Sequence, residues 1–294
     1  MVKVENMMNI NRIEQRLQLA EPKSEGIYHP APGRILFTPG LDLTEVFSSI
    51  SLEELGTARL MDRRETKYLF MEGKLSCLLQ GLSSDYQILE IQGRRSFRYR
   101  SMYFDTPDRF FFQGHHTGAL PRWKIRQRTY LDSQITYLEV KHKDSRGITH
   151  KSRQPIMYGM DTIAERDQKF LESFNLPPRG GLMPVLETRY TRMTLVHRER
   201  QERITLDRNL RFSDGTNTIT IPDLIIAEIK QDYLNNHSPF ILGLKECGIR
   251  PGSFSKYCVG SLLLDPSLKH NRFKPILHQI HSLRQGGFHH EWTL

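Results

Sequence analysis

Seven consecutive residues, Arg122-Trp123-Lys124-Ile125-Arg126-Gln127-Arg128, limit what this chain can fold into more than any other feature. Side chains alternate across a β-strand, so positions i, i+2 and i+4 share a face. As a strand, the segment puts Arg122, Lys124, Arg126 and Arg128 on one side and Trp123 and Ile125 on the other. The pattern recurs. Glu139, Lys141 and Lys143 oppose Leu138 and Val140, and Lys151 and Arg153 repeat the spacing in the next segment. Arg63, Glu65 and Lys67 share a face. So do Arg203, Thr205 and Asp207, against Ile204 and Leu206, and Glu228 and Lys230, against Ala227 and Ile229.

One such strand is explained by a half-buried sheet with a solvated outer face. Solvated faces, however, mix signs and use neutral polar residues freely, whereas here Arg and Lys return on strand after strand. Neighbouring like charges are costly unless something negative lies between them. A closed barrel with this face inward therefore calls for a polyanion and a divalent cation inside. The sparse carboxylates Glu65, Glu139 and Glu228 are the candidates to hold that cation. Mg²⁺ or Mn²⁺ is the expected type, because hard oxygen donors select hard ions and phosphate oxygens complete the shell.

The overall balance agrees. Lys and Arg number 42 against 33 Asp and Glu, a net +9 over 294 residues. That surplus favours nucleic acid, an acidic membrane surface or phosphate chains as partner. With 38% hydrophobic and 26% charged residues, a packed core is expected rather than global disorder. No apolar run approaches the roughly 20 residues of a membrane helix, and the amino terminus has no apolar signal core. Cys77, Cys247 and Cys258 are too few for a disulfide framework, and Cys77, among leucines, reads as a small core residue. The expected location is the cytoplasm, with membrane association through a protein partner left open.

Residues 1–48 read as an extension punctuated by Pro22, Pro30, Pro32, Gly33, Pro39 and Gly40. Residues 49–265 read as the main domain, and 266–294 as a tail with His270, His278, His281, His289 and His290 and no firm pattern. Expected strands are Arg63–Phe70, Phe97–Phe104, Arg122–Tyr130, Thr136–Lys143, Leu186–Thr194, Arg203–Asp207 and Leu224–Lys230. Asp144-Ser145-Arg146-Gly147 is a turn between the fourth strand and the segment after it. Helical spacing marks Gly73–Leu82, Asp161–Phe174 with Asp161 as cap, and Ser238–Gly248 with Ser238 as cap and Pro239 first. A short helix within Leu43–Leu55 has Thr44 or Ser51 as cap. Neither common glycine-rich nucleotide cradle is present, and the tail histidines read as solvated rather than zinc-bound. Tyr86, Phe97, Tyr99 and Tyr103 interleave with Arg94, Arg95, Arg98 and Arg100, a mix that can bind single strands. A strand with one packed face is the simpler account, and no nucleic-acid partner is expected.

Several of these segments resemble known motifs. Arg63-Arg64-Glu65-Thr66-Lys67-Tyr68 resembles the opening strand of the triphosphate tunnel metalloenzymes, Tyr103-Phe104-Asp105-Thr106 their YFDT strand end, Lys124–Tyr130 their paired-arginine strand, and Leu138-Glu139-Val140-Lys141 the strand that follows. Arg189–Arg192, Arg203–Asp207, Ala227–Lys230 and Phe254–Tyr257 are similar to the VTC (vacuolar transporter chaperone) branch, the polyphosphate polymerase domain. The resemblance implies a mainly β (α+β) fold, an antiparallel eight-stranded tunnel barrel with peripheral helices.

It also implies phosphate contacts at Lys67, Arg126, Arg128, Lys141, Arg192, Arg203, Ser255 and Lys256, with Lys151 and Arg153 as further basic positions and Glu228 as the metal-binding glutamate. Lys124, Lys143 and Lys230 join them on the same faces. Arg63 stands where hydrolytic relatives have the first Glu of Glu-x-Glu-x-Lys, which leans towards the polymerase branch. The implied activity is transfer of the γ-phosphate of ATP, or another nucleoside triphosphate, to polyphosphate. The alternatives are a triphosphatase on the same fold and a non-catalytic module that binds polyphosphate or RNA. The extension is too short for the inositol-phosphate sensor of eukaryotic polymerases, so that regulation and coupled translocation are not carried over.

Overall fold

The computed structural model describes residues 43–57, 64–174, 176, 181–233 and 235–285. Arg63, the extension before residue 43, and His289 and His290 lie outside the described residues. The strands are β1 (Ser49–Ile50), β2 (Arg64–Met71), β3 (Tyr86–Leu89), β4 (Phe97–Asp105), β5 (Arg122–Tyr130), β6 (Ile135–Lys143), β7 (Thr149–Ile156), β8 (Met183–His197), β9 (Glu202–Ser213), β10 (Thr218–Ile221), β11 (Leu224–Gln231) and β12 (Pro251–Gly252). The α-helices are α1 (Leu52–Thr57), α2 (Leu75–Leu79), α3 (Phe110–Thr117), α4 (Glu165–Glu172), α5 (Pro239–Glu246), α6 (Lys256–Leu264) and α7 (Lys274–Gln285).

One sheet holds the described strands, in the order β12-β2-β11-β9-β8-β4-β5-β6-β7. Its eight long members, from β2 to β7, form an antiparallel wall. Hydrogen bonds do not join β7 to the β2–β12 edge among the described residues. The wall nevertheless curls, since Lys141 of β6 lies within electrostatic reach of Glu65 and Lys67 of β2 and Glu228 of β11. The ionised faces thus meet across a shared lumen.

Three apolar clusters hold this wall. On the outside, Phe70, Ile204, Leu206, Ala227 and Ile229 pack with α2 and α5. Trp123, Ile125, Leu138 and Val140 pack with Phe104, Phe111 and Leu171. The third cluster lies on the inward side. Leu69 and Ile226 continue the inward faces of Lys67 and Glu228 by the period of two, but they are apolar, and Tyr257, Val259 and Leu262 of α6 pack with them. The inward surface therefore grades from charged to oily, and α6 fills the oily end.

Local chemistry sets the ends of these elements. Ser51 Oγ accepts from Glu54 N and Ser51 N donates to Glu54 Oε2, a reciprocal cap on α1. Ser238 caps α5 with Pro239 in its first turn, and Gly147 takes φ +83° in the β6–β7 turn, both as expected. Asp161 does not cap α4. The helix starts at Glu165 after Ala164, because Asp161 is drawn instead to Arg100 Nη1 at 2.5 Å. Cys77 is not a core residue. With Leu75, Leu78 and Leu79 turned to the core, position 77 falls on the opposite side of the turn and is exposed. The patternless stretch from Pro266 contains α7, whose Ile276 and Ile280 are buried in the inward cluster.

Close packing of α6 depends on Gly260. A Cβ there would overlap the Phe212 ring and meet Leu186 Cδ2 at 3.0 Å. Gly260→Ala is expected to destabilise the fold by about 1–3 kcal/mol through overpacking, read from the urea midpoint.

Candidate functional site

Strand β5 alternates half-buried and buried along its length, with Lys124, Arg126 and Arg128 on one face and Trp123, Ile125 and Gln127 on the other. Register places Glu139 of β6 opposite Arg126, and Arg153 of β7 opposite Glu139. Glu139 is the centre of a first group. Arg126 reaches its Oε2 with Nη2 at 2.7 Å and Nε at 2.8 Å, Arg128 Nε stands at 3.8 Å, and Lys151 Nζ is 2.9 Å from Oε1. Burial would raise the Glu139 pKa, yet Arg128, Arg126 and Lys151 together hold it well below the usual carboxylate range. Lys151 keeps 43% of its side chain in solvent, but loss of hydration around its ammonium, with Arg128 and Arg126 nearby, pushes its pKa down to about 8 despite Glu139.

A second group centres on Asp207 of β9, which is buried. Arg192 of β8 donates to it through Nε at 2.5 Å and Nη2 at 2.8 Å, and Lys256 at the start of α6 is its third bond. Burial opposes the charge of Asp207, but Arg192 and Lys256 hold its pKa at about 2. Tyrosine faces support the cations. Arg192 lies 5.2 Å from the Tyr99 ring and 5.3 Å from Tyr190, Arg126 lies 5.8 Å from Tyr103, and Arg153 lies 4.6 Å from Tyr137. Ring quadrupoles attract such cations, so aromatic floors replace some of the carboxylates that this much positive charge would otherwise need.

The third group joins β2 and β11. Lys67 Nζ is 2.5 Å from Glu65 and 3.5 Å from Glu228, and Lys230 pairs with Glu228. Burial would raise the Glu228 pKa, but Lys230 and Lys67 hold it well below normal. Arg203 lies opposite Lys230 in register. Among the described residues, no three His, Cys, Asp or Glu side chains converge as a metal cage. Glu228 and Glu65 still fit a hard cation as two neighbouring oxygen donors, with phosphate oxygens supplying the rest. Glu139 stands apart from that pair, in the separate group of Arg126, Arg128 and Lys151.

Lys124 differs from these. Its Nζ donates to Ser255 Oγ at 3.0 Å and lies 5.9 Å from the Tyr257 ring. Among the described residues no carboxylate pairs with it, and burial lowers its pKa. Ser255 also caps α6, accepting from Cys258 N at 3.2 Å. Lys143 stays apart, beside the β6–β7 turn and opposite Arg122 and Thr149. A cleft of about 350 Å³ opens where Glu65 and Lys67 meet Gly252, Ser253 and Ser255.

Sequence reasoning grouped most of these cations and placed Asp207 on the face of Arg203, but gave neither Asp207 nor the tyrosines a role in the site. Period-two arithmetic carries Arg203 to Asp207, and Tyr99 to Tyr103, on one face each. It also passed over Asp105, which accepts from Phe111 N and Phe112 N at 2.9 Å each and from the Tyr257 hydroxyl. That bond anchors the first turn of α6, hence Ser255 and Lys256.

A family profile described as the VTC domain matches residues 62–265. The chain belongs to the VTC domain family. No curated protein matches it. Solved structures similar to it include a candidate adenylyl cyclase from Hippeastrum with a dominant triphosphatase activity. That protein is 18% identical, with 68% of this chain and 95% of the other covered and a TM-score of 0.43. A candidate adenylate cyclase from Bacillus halodurans is 16% identical, covering 72% and 99%, with a TM-score of 0.39. In this VTC domain, no helix among the described residues is long and apolar enough to cross a membrane.

Asp207→Asn leaves Arg192 and Lys256 buried without their counter-charge. Breaking one partner of such a group costs about 3–5 kcal/mol, so a matching loss of unfolding free energy in urea is expected.

Proposed function

We propose that this VTC domain transfers the γ-phosphate of ATP, or another nucleoside triphosphate, to a growing polyphosphate chain in its basic lumen. The observation that carries the reading is Lys124. A crowded ammonium with no carboxylate partner is costly, and here it sits beside the Ser255 hydroxyl and among further cations. An anionic ligand rich in oxygens relieves that cost, and a phosphate chain places one charged unit after another along the same face.

Phosphoryl transfer asks chiefly for positioning and for neutralisation of charge on the transferring oxygens. Arg126 and Arg128, two residues apart on β5, fork onto phosphate oxygens in a fixed plane. Lys67, Lys141, Lys230 and Lys256 act as point charges along the chain, and Arg192 and Arg203 face them from β8 and β9. Glu228 with Glu65 would hold a divalent cation, Mn²⁺ or Mg²⁺, which would supply further charge neutralisation. The carboxylates Glu139, Asp207 and Glu228 are all held strongly acidic. None is matched to take a proton from water near neutral pH. A terminal phosphate as acceptor is already ionised and needs no such base.

Incubation with ATP and Mn²⁺ is expected to yield long chains whose interior resists phosphatase. Orthophosphate or pyrophosphate alone would instead make the protein a triphosphatase. Salt-sensitive binding without product would make it a binding module. Arg126→Ala is expected to lower turnover by about 100-fold or more with an unchanged circular-dichroism spectrum, and near-normal turnover would remove Arg126 from the mechanism. Lys151 adds a pH dependence. Its charge is present below about pH 8 and lost above it, so tripolyphosphate binding measured by calorimetry should weaken as pH rises through that value. Lys151→Arg should flatten this limb.

A further inference from the structure

Cys77 on α2 and Cys247, which ends α5, are 170 residues apart in sequence, and their sulfurs stand 3.9 Å apart. The packing of the two helices explains the approach. At Gly243 a Cβ would touch Leu78 Cδ2 at 3.6 Å, so α5 comes close to α2 at this point. Cys247 follows Gly243 by four residues and shares its side of the helix. Cys77 precedes Leu78 and is turned outward from the core. Cys77 is exposed and Cys247 half-buried, so one sulfur meets reagents directly and the other waits behind it. Lys74, a turn away, donates to Cys247 O at 2.8 Å and so ties the end of α5 to α2. Cys258, the third cysteine, is buried in α6.

We propose that Cys77 and Cys247 form a reversible disulfide, a redox modification site independent of the lumen. The sulfurs have to close from 3.9 Å to about 2.05 Å, a movement within reach of side-chain rotation. The oxidant is a small disulfide, RSSR. The Cys77 thiolate attacks one of its sulfurs and expels RS⁻, giving a mixed disulfide. The Cys247 thiolate then attacks the Cys77 sulfur and expels the second RS⁻. Two protein thiols lose two electrons, RSSR gains them, and the two protons leave with the two released thiols. The bond ties α2 to the point where the chain leaves α5 for β12, four residues before Pro251. That strand pairs with Lys67 through Gly252 and leads to Ser255 and Lys256. Oxidation therefore staples the connection that delivers these two residues, without occupying the lumen.

The full chain, reduced and then treated with oxidised glutathione, tests this. The expected product has lost two hydrogens in intact mass, carries no glutathione, and gives a Cys77–Cys247 linked peptide. The free-thiol count falls from the three cysteines of the sequence to one, which reacts only after denaturation, and dithiothreitol restores all three. Cys247→Ser should stop at a glutathione adduct on Cys77. Stable glutathione adducts on both cysteines of the unaltered chain, or three thiols that stay free, would overturn the proposal. Circular dichroism of the Cys247→Ser protein checks that its altered chemistry is not unfolding.

Discussion

Electrostatic repulsion inside an enclosed space is the constraint around which this molecule is built. Strands β2, β5, β6, β7, β8, β9 and β11 all present Lys or Arg to the same lumen, and in a low dielectric each such pair is expensive. The protein offsets part of that cost with Glu139, Asp207 and Glu228, each shared between at least two cations. Tyrosine rings beneath Arg126, Arg128 and Arg192 offset more. What is left over is positive, and it is concentrated where Lys124 and Lys141 face the lumen. A wall of this kind stays folded because its outer faces are strongly apolar, and it is ready for an anion because its inner face is not fully neutralised.

Position in the lumen depends on groups outside the three charged clusters. Asp105 ends β4, accepts backbone N–H groups from the first turn of α3, and takes the hydroxyl of Tyr257. One buried carboxylate thus fixes two helices against the sheet. Since Lys256 precedes Tyr257, the bond that holds α6 also holds Lys256 on Asp207 and Ser255 beside Lys124. Gly260 lets the same helix press against Phe212. The oily end of the inward surface is therefore what sets the aim of the charged end.

Much of this was legible in the sequence, for a physical reason. Strand β5 was readable to the residue, because alternation between Arg or Lys and Trp, Ile or Gln has period two and nothing else fits it. The hairpin at Asp144–Gly147 was readable because its glycine needs positive φ. Helix α6 was not, since every position from Tyr257 to Leu262 is buried and a helix oily all round has no stripe to detect. Helix α7 hides behind histidines that face away from Ile276 and Ile280. Partners across the sheet are a further limit. The sequence puts Glu65, Glu139 and Glu228 on lumen faces, but only the fold separates Glu139, locked among arginines, from the Glu65–Glu228 pair beside Lys67.

The two kinds of cation divide the work by their chemistry. Arg126, Arg128 and Arg192 keep their charge whatever the burial, and carboxylates and tyrosines raise their pKa values further. Lys124, Lys141, Lys151 and Lys230 are pushed the other way, chiefly by burial. The arginines are therefore a fixed frame, while the lysines are a charge that the ligand itself strengthens. An arriving phosphate favours the ammonium form, so anion binding and proton uptake are linked at each such lysine. On the function proposed above, a phosphate chain moving through the lumen needs contacts that strengthen as it arrives and relax as it leaves. Depressed lysines arranged around permanent arginines supply that, and a lumen lined by arginine alone would hold every position with the same strength.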